Sequence, residues 1–507
     1  MTLSSMLGDL VPLQLVLGTV LVASASVIWT QVVQPLYAAR KLSLPPGPPG
    51  HWLFGNASPG PYSFRYYSEL VDTYGPVISL RYGKRIVCVI GRYQAAVDIL
   101  SKHSAETADR PRAIAANEIQ SGGMRVLMTQ AGERIKKIRR ALHAYLQPNV
   151  AENYKQMQYK NAKKYILDCY LNPAGHLKHA KRYAASVVMT IAYGKTTPTS
   201  YSDPEVQAVN KYLALLGATL RPGAHLVDTY PFLRYIPGYL AHLRRYQAEE
   251  QALYSAQLDV VRKQLAHGDV QPSFATYLLE NQERLQFSDA ELAYLAGAIF
   301  GAGSDTTAAA LGFITMAAAC YPEAQARVQA QLDKVLGRDR VPSFEDEDTL
   351  PEVTAFVLEA YRWRPVSITG FAHRAMKDII WKDYVIPEGA EILGIHWAIA
   401  RDPDVYPEPE AFKPERWLTP DGCIRDDLRF FNFGFGRRVC VGQHVANNSL
   451  FINTALVLWA FKISQDPSKP IDTHAFTDTA NVHPAPFHAI FEPRISNLEE
   501  LLTGNDE

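Results

Sequence analysis

The chain has 507 residues, 47% of them hydrophobic and 20% charged, enough apolar material for a sizeable buried core. Its 51 Lys and Arg balance 51 Asp and Glu, so formal net charge is zero and no global field draws it to nucleic acid. The five cysteines (Cys88, Cys169, Cys320, Cys423, Cys440) are odd in number and scattered without metal-ligand spacing, which argues against a zinc site or a disulfide framework and fits a reducing compartment.

Residues 10–39 carry no charge, and residues 11–29 are almost wholly apolar. About 20 such residues span a bilayer as a helix. Asp9 precedes the run while Arg40 and Lys41 follow it, which places the bulk of the chain in the cytosol. The alternative is a cleaved secretory peptide, but positive charge is missing ahead of the run and the run is long for one. The expectation is an uncleaved single-pass anchor over residues 1–35. Residues 36–50 then form a basic and proline-rich hinge, in which Leu44-Pro45-Pro46-Gly47-Pro48-Pro49-Gly50 reads as a stiff, extended spacer. Residues 51–507 follow as one large catalytic domain, because motifs spread along them must converge on one site.

Within that domain, Val77–Tyr82, Gly83-Lys84 and Arg85–Ile90 read as a hairpin rich in Val and Ile. Helical periodicity covers residues 133–146, 248–266, 289–320, 322–336 and 443–461, and β-prone pieces recur near 379–386 and 487–491. The fold class is therefore mainly α with small β-sheets. In the long helix over 289–320, the small residues Ala296, Gly297, Ala298, Gly301, Ala302 and Gly303 leave room for a flat cofactor or O₂. Gly303 and Ser304 weaken the helix locally. Asp305 and Thr306 then set an acid beside a hydroxyl, the pairing that proton delivery needs. Taken alone, the same stripe reads more readily as a helix packing face. Further on, Glu359 and Arg362 stand at i and i+3 on one helical face, worth only a few tenths of a kcal/mol if exposed.

Phe433-Gly434-Phe435-Gly436-Arg437-Arg438-Val439-Cys440-Val441-Gly442 sets one cysteine among glycines and arginines, just ahead of a helix. Glycines let the backbone approach a bulky flat ligand. Nearby N–H groups and the helix N-terminus favour a thiolate, and Arg438 could meet a carboxylate of the same ligand. Such a thiolate suits an axial bond to haem iron. A buried cysteine in a glycine turn is the plainer alternative.

Phe433, Gly436, Arg438, Cys440 and Gly442 complete the pattern Phe-x-x-Gly-x-Arg-x-Cys-x-Gly, which resembles the haem-binding loop of the cytochrome P-450 family, the haem-thiolate monooxygenases. The resemblance runs from the proline-rich hinge to Pro486-Phe487. It implies the cytochrome P-450 fold, haem b with Cys440 as axial thiolate to the iron, and O₂ as co-substrate. Asp305 becomes the proton conduit and Thr306 the hydroxyl donor. Arg438, His373, Arg139 and Arg110 become contacts of the haem propionates, although Ile135 stands where a tryptophan is common. Glu359, Arg362 and Arg416 match a buried structural network. Electrons would come from NADPH through a cytochrome reductase docking at Lys136 or Lys137, with cytochrome b5 as a further donor.

By family position, substrate contacts fall in residues 112–126, 215–239, 366–371 and 485–488 and at Ala298 and Ala302. Ile114, Leu216, Ile368 and Phe487 there argue for a lipophilic small molecule. The aromatic stretch around Tyr230-Pro231-Phe232 and Tyr235-Ile236-Pro237 reads either as a loop dipping into a bilayer or as ordinary loop packing. Residues 440–452 look most like fungal enzymes of secondary metabolism, so the expected activity is hydroxylation or epoxidation of a compound such as a terpenoid, at the endoplasmic reticulum membrane with the catalytic domain facing the cytosol. Oxidation of aromatic xenobiotics, a haem-thiolate isomerase or dehydratase needing no reductase, and a non-enzymatic haem protein are the alternatives.

Overall fold

The computed structural model describes residues 18–22, 24–26, 43–195, 199–221 and 223–504. Among the described residues no helix is long and apolar enough to cross a membrane. The anchor expected over residues 1–35 falls mostly outside the described residues.

In chain order, the principal elements begin with α1 (Ser63–Tyr74) and the hairpin β1 (Val77–Tyr82) and β2 (Arg85–Ile90). Five helices follow: α2 (Glu133–Leu146), α3 (Lys155–Leu171), α4 (His176–Tyr193), α5 (Pro204–Thr219) and α6 (Ala241–His267). Next come α7 (Asp289–Cys320), α8 (Pro322–Val335) and α9 (Pro351–Trp363), then the short strands β3 (His373–Arg374), β4 (Ile379–Trp381), β5 (Tyr384–Ile386) and β6 (Glu391–Gly394). The chain closes with α10 (Gln443–Ala460) and the pair β7 (Phe461–Gln465) and β8 (Ala489–Pro493).

The hairpin forms as its sequence predicts, with Val77 opposite Ile90 and Tyr82 opposite Arg85. β6 adds parallel to β2 and β3 antiparallel to β6, giving a four-stranded sheet in the order β1-β2-β6-β3. The proline-rich segment is extended, but it is not a free spacer. Ser79 donates from its N–H to Pro46 and from its hydroxyl to Pro45 (2.9 and 2.6 Å), and Val385 N–H donates to Ser43. A Cβ on Gly47 would lie 2.1 Å from the Ser79 carbonyl oxygen, so only glycine allows that approach.

The helical body is built around α7, which packs against α4, α6 and α10, while α3 lies across α4 and α10. Ser288 and Glu291 close a capping box at the start of α7 and satisfy its first orphan N–H groups. The helix then runs unbroken through Gly303 and Ser304. The hydroxyls of Ser304 and Thr306 donate to the carbonyls of Phe300 and Ala302 four residues back (2.7 and 2.8 Å), in addition to the helix's own ladder. The small residues serve two ends. A Cβ on Gly297 would strike the Tyr254 ring of α6, and one on Gly303 would meet Val188 of α4, both at 2.3 Å, so these glycines let helices approach closely. Ala298, Gly301 and Ala302 face the central cavity, as does Gly303.

Glu359 and Arg362 are not an exposed pair, because both are fully buried at the end of α9. Arg362 grips the Glu359 carboxylate with two nitrogens (2.9 and 2.7 Å) and donates to the carbonyls of Ala400, Pro409 and Ala411. Arg416 and the Trp417 indole N–H complete the cluster on the same carboxylate, at 3.2 and 2.9 Å. Buried charges persist only when so paired, and this knot pins the loop after β6 to α9.

Candidate active site

The cysteine loop is held in shape by its own backbone. Cys440 N–H donates to the Phe433 carbonyl at 2.8 Å, closing the turn. Gly434 and Gly436 sit at φ 80° and 51°, the left-handed region that favours glycine. A Cβ on Gly436 would also come 2.3 Å from the Cβ of Ser104. Phe435 is buried beside Phe431 in the core behind the sheet. Phe433 meets Tyr361 edge-on, at 5.4 Å. Gly442 stands at the N-cap of α10, where a Cβ would lie 3.9 Å from the Cys440 sulfur with no clash.

The loop forms one wall of a cavity of about 900 Å³, and α7 supplies another with Ala298, Ala302, Asp305 and Thr306. Cys440 has an accessible side chain, but its exposure is onto this cavity. Burial raises its thiol above the ordinary range, and the Gly442 N–H and Arg139 offset this only in part. The Gly442 N–H and Arg139 act in the direction the sequence reading expects, toward the thiolate, and the charge of a bound metal centre would add to them.

Arg110, Arg139, Arg438 and His373 all reach the same cavity. Arg110 donates to the carbonyls of Phe371 and Ala372 (2.8 and 2.7 Å), Arg438 to those of Ala108 and Thr129 (2.5 and 2.8 Å), and Arg139 to that of Val439 (3.0 Å). Burial, then the charges of Arg438 and Arg139, push Arg110 down to about 9. Burial and then Arg139 bring Arg438 to about 10, while burial lowers Arg139. The Arg110 Nε is buried with no partner among the described residues. Three guanidiniums that repel one another, with donor capacity to spare, fit a ligand carrying two carboxylates, as haem does.

His373 fits less simply. Its Nδ1 lies 2.7 Å from the Thr107 carbonyl, so that nitrogen carries the hydrogen, and burial with Arg110 brings the ring to about 3. The neutral ring then offers the cavity a lone pair at Nε2, not the donor expected of a propionate contact. It gains a second N–H only where an anion offsets Arg110.

Asp305 is engaged by two residues that the sequence reading missed. His483 Nε2 lies 2.7 Å from Oδ1, and Asn481 donates to Oδ2 at 3.1 Å. Both partners come from the loop before β8, and no local pattern links them to α7.

Of the expected substrate contacts, Leu216, Ala298, Ala302, Val366, Phe371 and Phe487 line the cavity. Ile114 and Ile368 do not. Ile114 packs with Val227 and Leu243 in a separate cluster, and Ile368 belongs to the main core. Ile135, at the position of the missing tryptophan, is buried against the cavity. Lys136 pairs with Glu133 at 2.7 Å, while Lys137 donates to the Gln286 carbonyl and lies over the Phe287 ring. Tyr230, Phe232, Tyr235 and Ile236 are exposed.

Comparison with known proteins agrees with this geometry. The family model described as cytochrome P-450 matches residues 45–491. The chain is 72% identical to cytochrome P-450 monooxygenase 64 of Postia placenta over 465 residues, 92% of this chain and 94% of that one. It is 66% identical to monooxygenase 113 of the same fungus, covering 94% and 96% of the two chains. A cytochrome P-450 monooxygenase of Armillaria gallica is 35% identical, with 92% of each chain covered. With a cysteine loop facing a small-residue helix across one cavity, and this likeness over nearly its whole length, the chain belongs to the cytochrome P-450 family, as a monooxygenase that uses haem and O₂.

Proposed function

We propose that this monooxygenase inserts one oxygen atom into a lipophilic small molecule, by hydroxylation or epoxidation, in fungal secondary metabolism such as terpenoid biosynthesis. The observation that carries this reading is the single cavity with Cys440 on one wall, Asp305 and Thr306 on another, and a largely apolar lining between. Haem bound here would supply the oxygen chemistry, held through the Cys440 sulfur. Arg110, Arg139 and Arg438 hold its propionates, and His373 joins them once an anion is present. Phe433, Gly436 and Gly442 shape the loop around the ligand. Thr306 presents a hydroxyl to the cavity, and Asp305 conducts protons to it.

NADPH feeds the protein through a cytochrome reductase, with cytochrome b5 as a further donor. The reductase docks on the basic face of α2 at Lys136 or Lys137, of which Lys136 pairs with the exposed Glu133 and Lys137 with the Gln286 carbonyl and the Phe287 ring. Residues 1–35 anchor the chain in the endoplasmic reticulum membrane by a single pass, and the domain over residues 51–507 faces the cytosol. The exposed Phe232, Tyr235 and Ile236 dip into the same bilayer.

Incubation of the protein with reductase, NADPH and panels of terpenoids and aromatic xenobiotics, read by mass spectrometry, tests the reading. Products heavier by one oxygen from the terpenoid panel support it. Turnover confined to the aromatic panel, or product formed without NADPH, overturns it.

A further inference from the structure

The carboxylate of Asp305 does not hang free in the cavity. Both oxygens are taken up by the segment 477–484, Oδ1 by His483 Nε2 at 2.7 Å and Oδ2 by Asn481 Nδ2 at 3.1 Å. An ionised carboxylate only accepts, so His483 carries its hydrogen on Nε2 in this contact. The segment is itself braced. His483 N–H donates to the Thr477 hydroxyl at 2.9 Å, Thr477 N–H donates back to the His483 carbonyl at 3.0 Å, and the Thr477 and Thr479 hydroxyls lie 2.9 Å apart. Thr477, Thr479, Asn481 and His483 all border the same cavity as Asp305. His483 from this segment and Lys181 from α4 are the charged or titratable groups that face the carboxylate, and α7 itself has none within a turn. Burial by itself would drive Asp305 upward. The hydrogen bond and charge of His483, then Asn481 and Lys181, outweigh burial and hold it below the usual carboxylate range.

We propose that His483 is the positioning residue that keeps Asp305 ionised and hands it protons, so that proton delivery in this chain runs through an imidazole–carboxylate pair. The inference rests on the reading of Asp305 as the proton conduit. In the step, the Nε2–H bond breaks as an O–H bond forms on Oδ1. From the doubly protonated ring this leaves a neutral imidazole with its hydrogen on Nδ1, and once Asp305 has passed the proton on, a solvent proton taken up at Nε2 restores the starting contact. No electron changes hands.

Three variants of the haem-loaded protein test it: D305N, H483F and H483K, each accepted only if its ferrous–CO spectrum matches the parent. Infrared difference spectra assign the Asp305 carboxyl band by its loss in D305N. At neutral pH the protonated band is absent from the parent and present in H483F. Product formed per NADPH falls about tenfold in H483F, within what a positioned proton donor supplies. In H483K, whose partner stays charged, Asp305 remains ionised while the pH dependence of that ratio between pH 5 and 8 flattens. If D305N loses coupling but H483F changes neither band nor coupling, the His483 proposal falls and Asp305 keeps its role. If D305N itself leaves coupling intact, the proton-conduit reading falls. Should H483F not retain haem, H483Q takes its place with the same expectations.

Discussion

Arg125 Nη2 reaches both oxygens of the Glu250 carboxylate, at 2.7 and 2.9 Å, with both side chains buried. The hydroxyls of Tyr254 and Tyr294 donate to the same carboxylate, at 3.2 and 2.5 Å. The pair fastens the loop ahead of α2 to α6 and α7. Removing Arg125 strands a negative charge that water cannot reach. We expect R125M to lower stability by about 3–5 kcal/mol and the double variant R125M/E250Q to recover much of it, as a double-mutant cycle by chemical denaturation will show.

Two glycines of the cysteine loop should answer differently to alanine. Gly436 combines a left-handed φ with a neighbour at 2.3 Å, whereas Gly442 has φ −89° and its nearest neighbour, the Cys440 sulfur, at an ordinary contact distance of 3.9 Å. G436A costs about 1–2 kcal/mol in backbone strain alone, before any clash. It will lose haem during purification, while G442A keeps both fold and pigment. The ratio of haem absorbance to protein absorbance checks both.

If Cys440 is the iron's thiolate ligand as proposed, C440A should abolish the thiolate-type ferrous–CO spectrum together with turnover. R110M and R438M each delete a charge-assisted contact proposed for a propionate. Such bonds are worth about 1.5–3 kcal/mol, so haem release should quicken about ten- to a hundredfold. Transfer of haem to an apoglobin acceptor measures that rate.

His176 is buried beside Phe487, and burial brings its pKa to about 4 from an ordinary 6.5. Between those values the unfolded chain binds a proton that the folded chain refuses, so stability falls as pH drops from 6.5 toward 4. The loss from this one ring is about 3 kcal/mol. H176F removes it, so on acidification from pH 7 to pH 5 the melting temperature of the parent should fall relative to that of the variant.

Legibility in the sequence followed the range of the interaction. The bounds of α7 lie where the Ser288–Glu291 capping box and Tyr321-Pro322 place them, and the hairpin turns at Gly83-Lys84, because these signals act over a few residues. The β-prone stretch near 487–491 was displaced, since β8 spans Ala489–Pro493, set by pairing with β7. The cysteine loop was legible because ten consecutive residues carry it. The contacts Asp305–His483 and Arg125–Glu250 were not, because only the topology brings such distant residues together. The burial of Glu359 and Arg362 was likewise invisible to an i, i+3 argument, which cannot tell a solvated face from a core.

The strapping of Ser43, Pro45 and Pro46 onto Ser79 and Val385 has a mechanical consequence. Residues 43–46 are joined to the sheet like a handle welded to a tool rather than tied on by string, so a tilt applied at Ser43 is passed to the strands and not taken up by the proline-rich stretch.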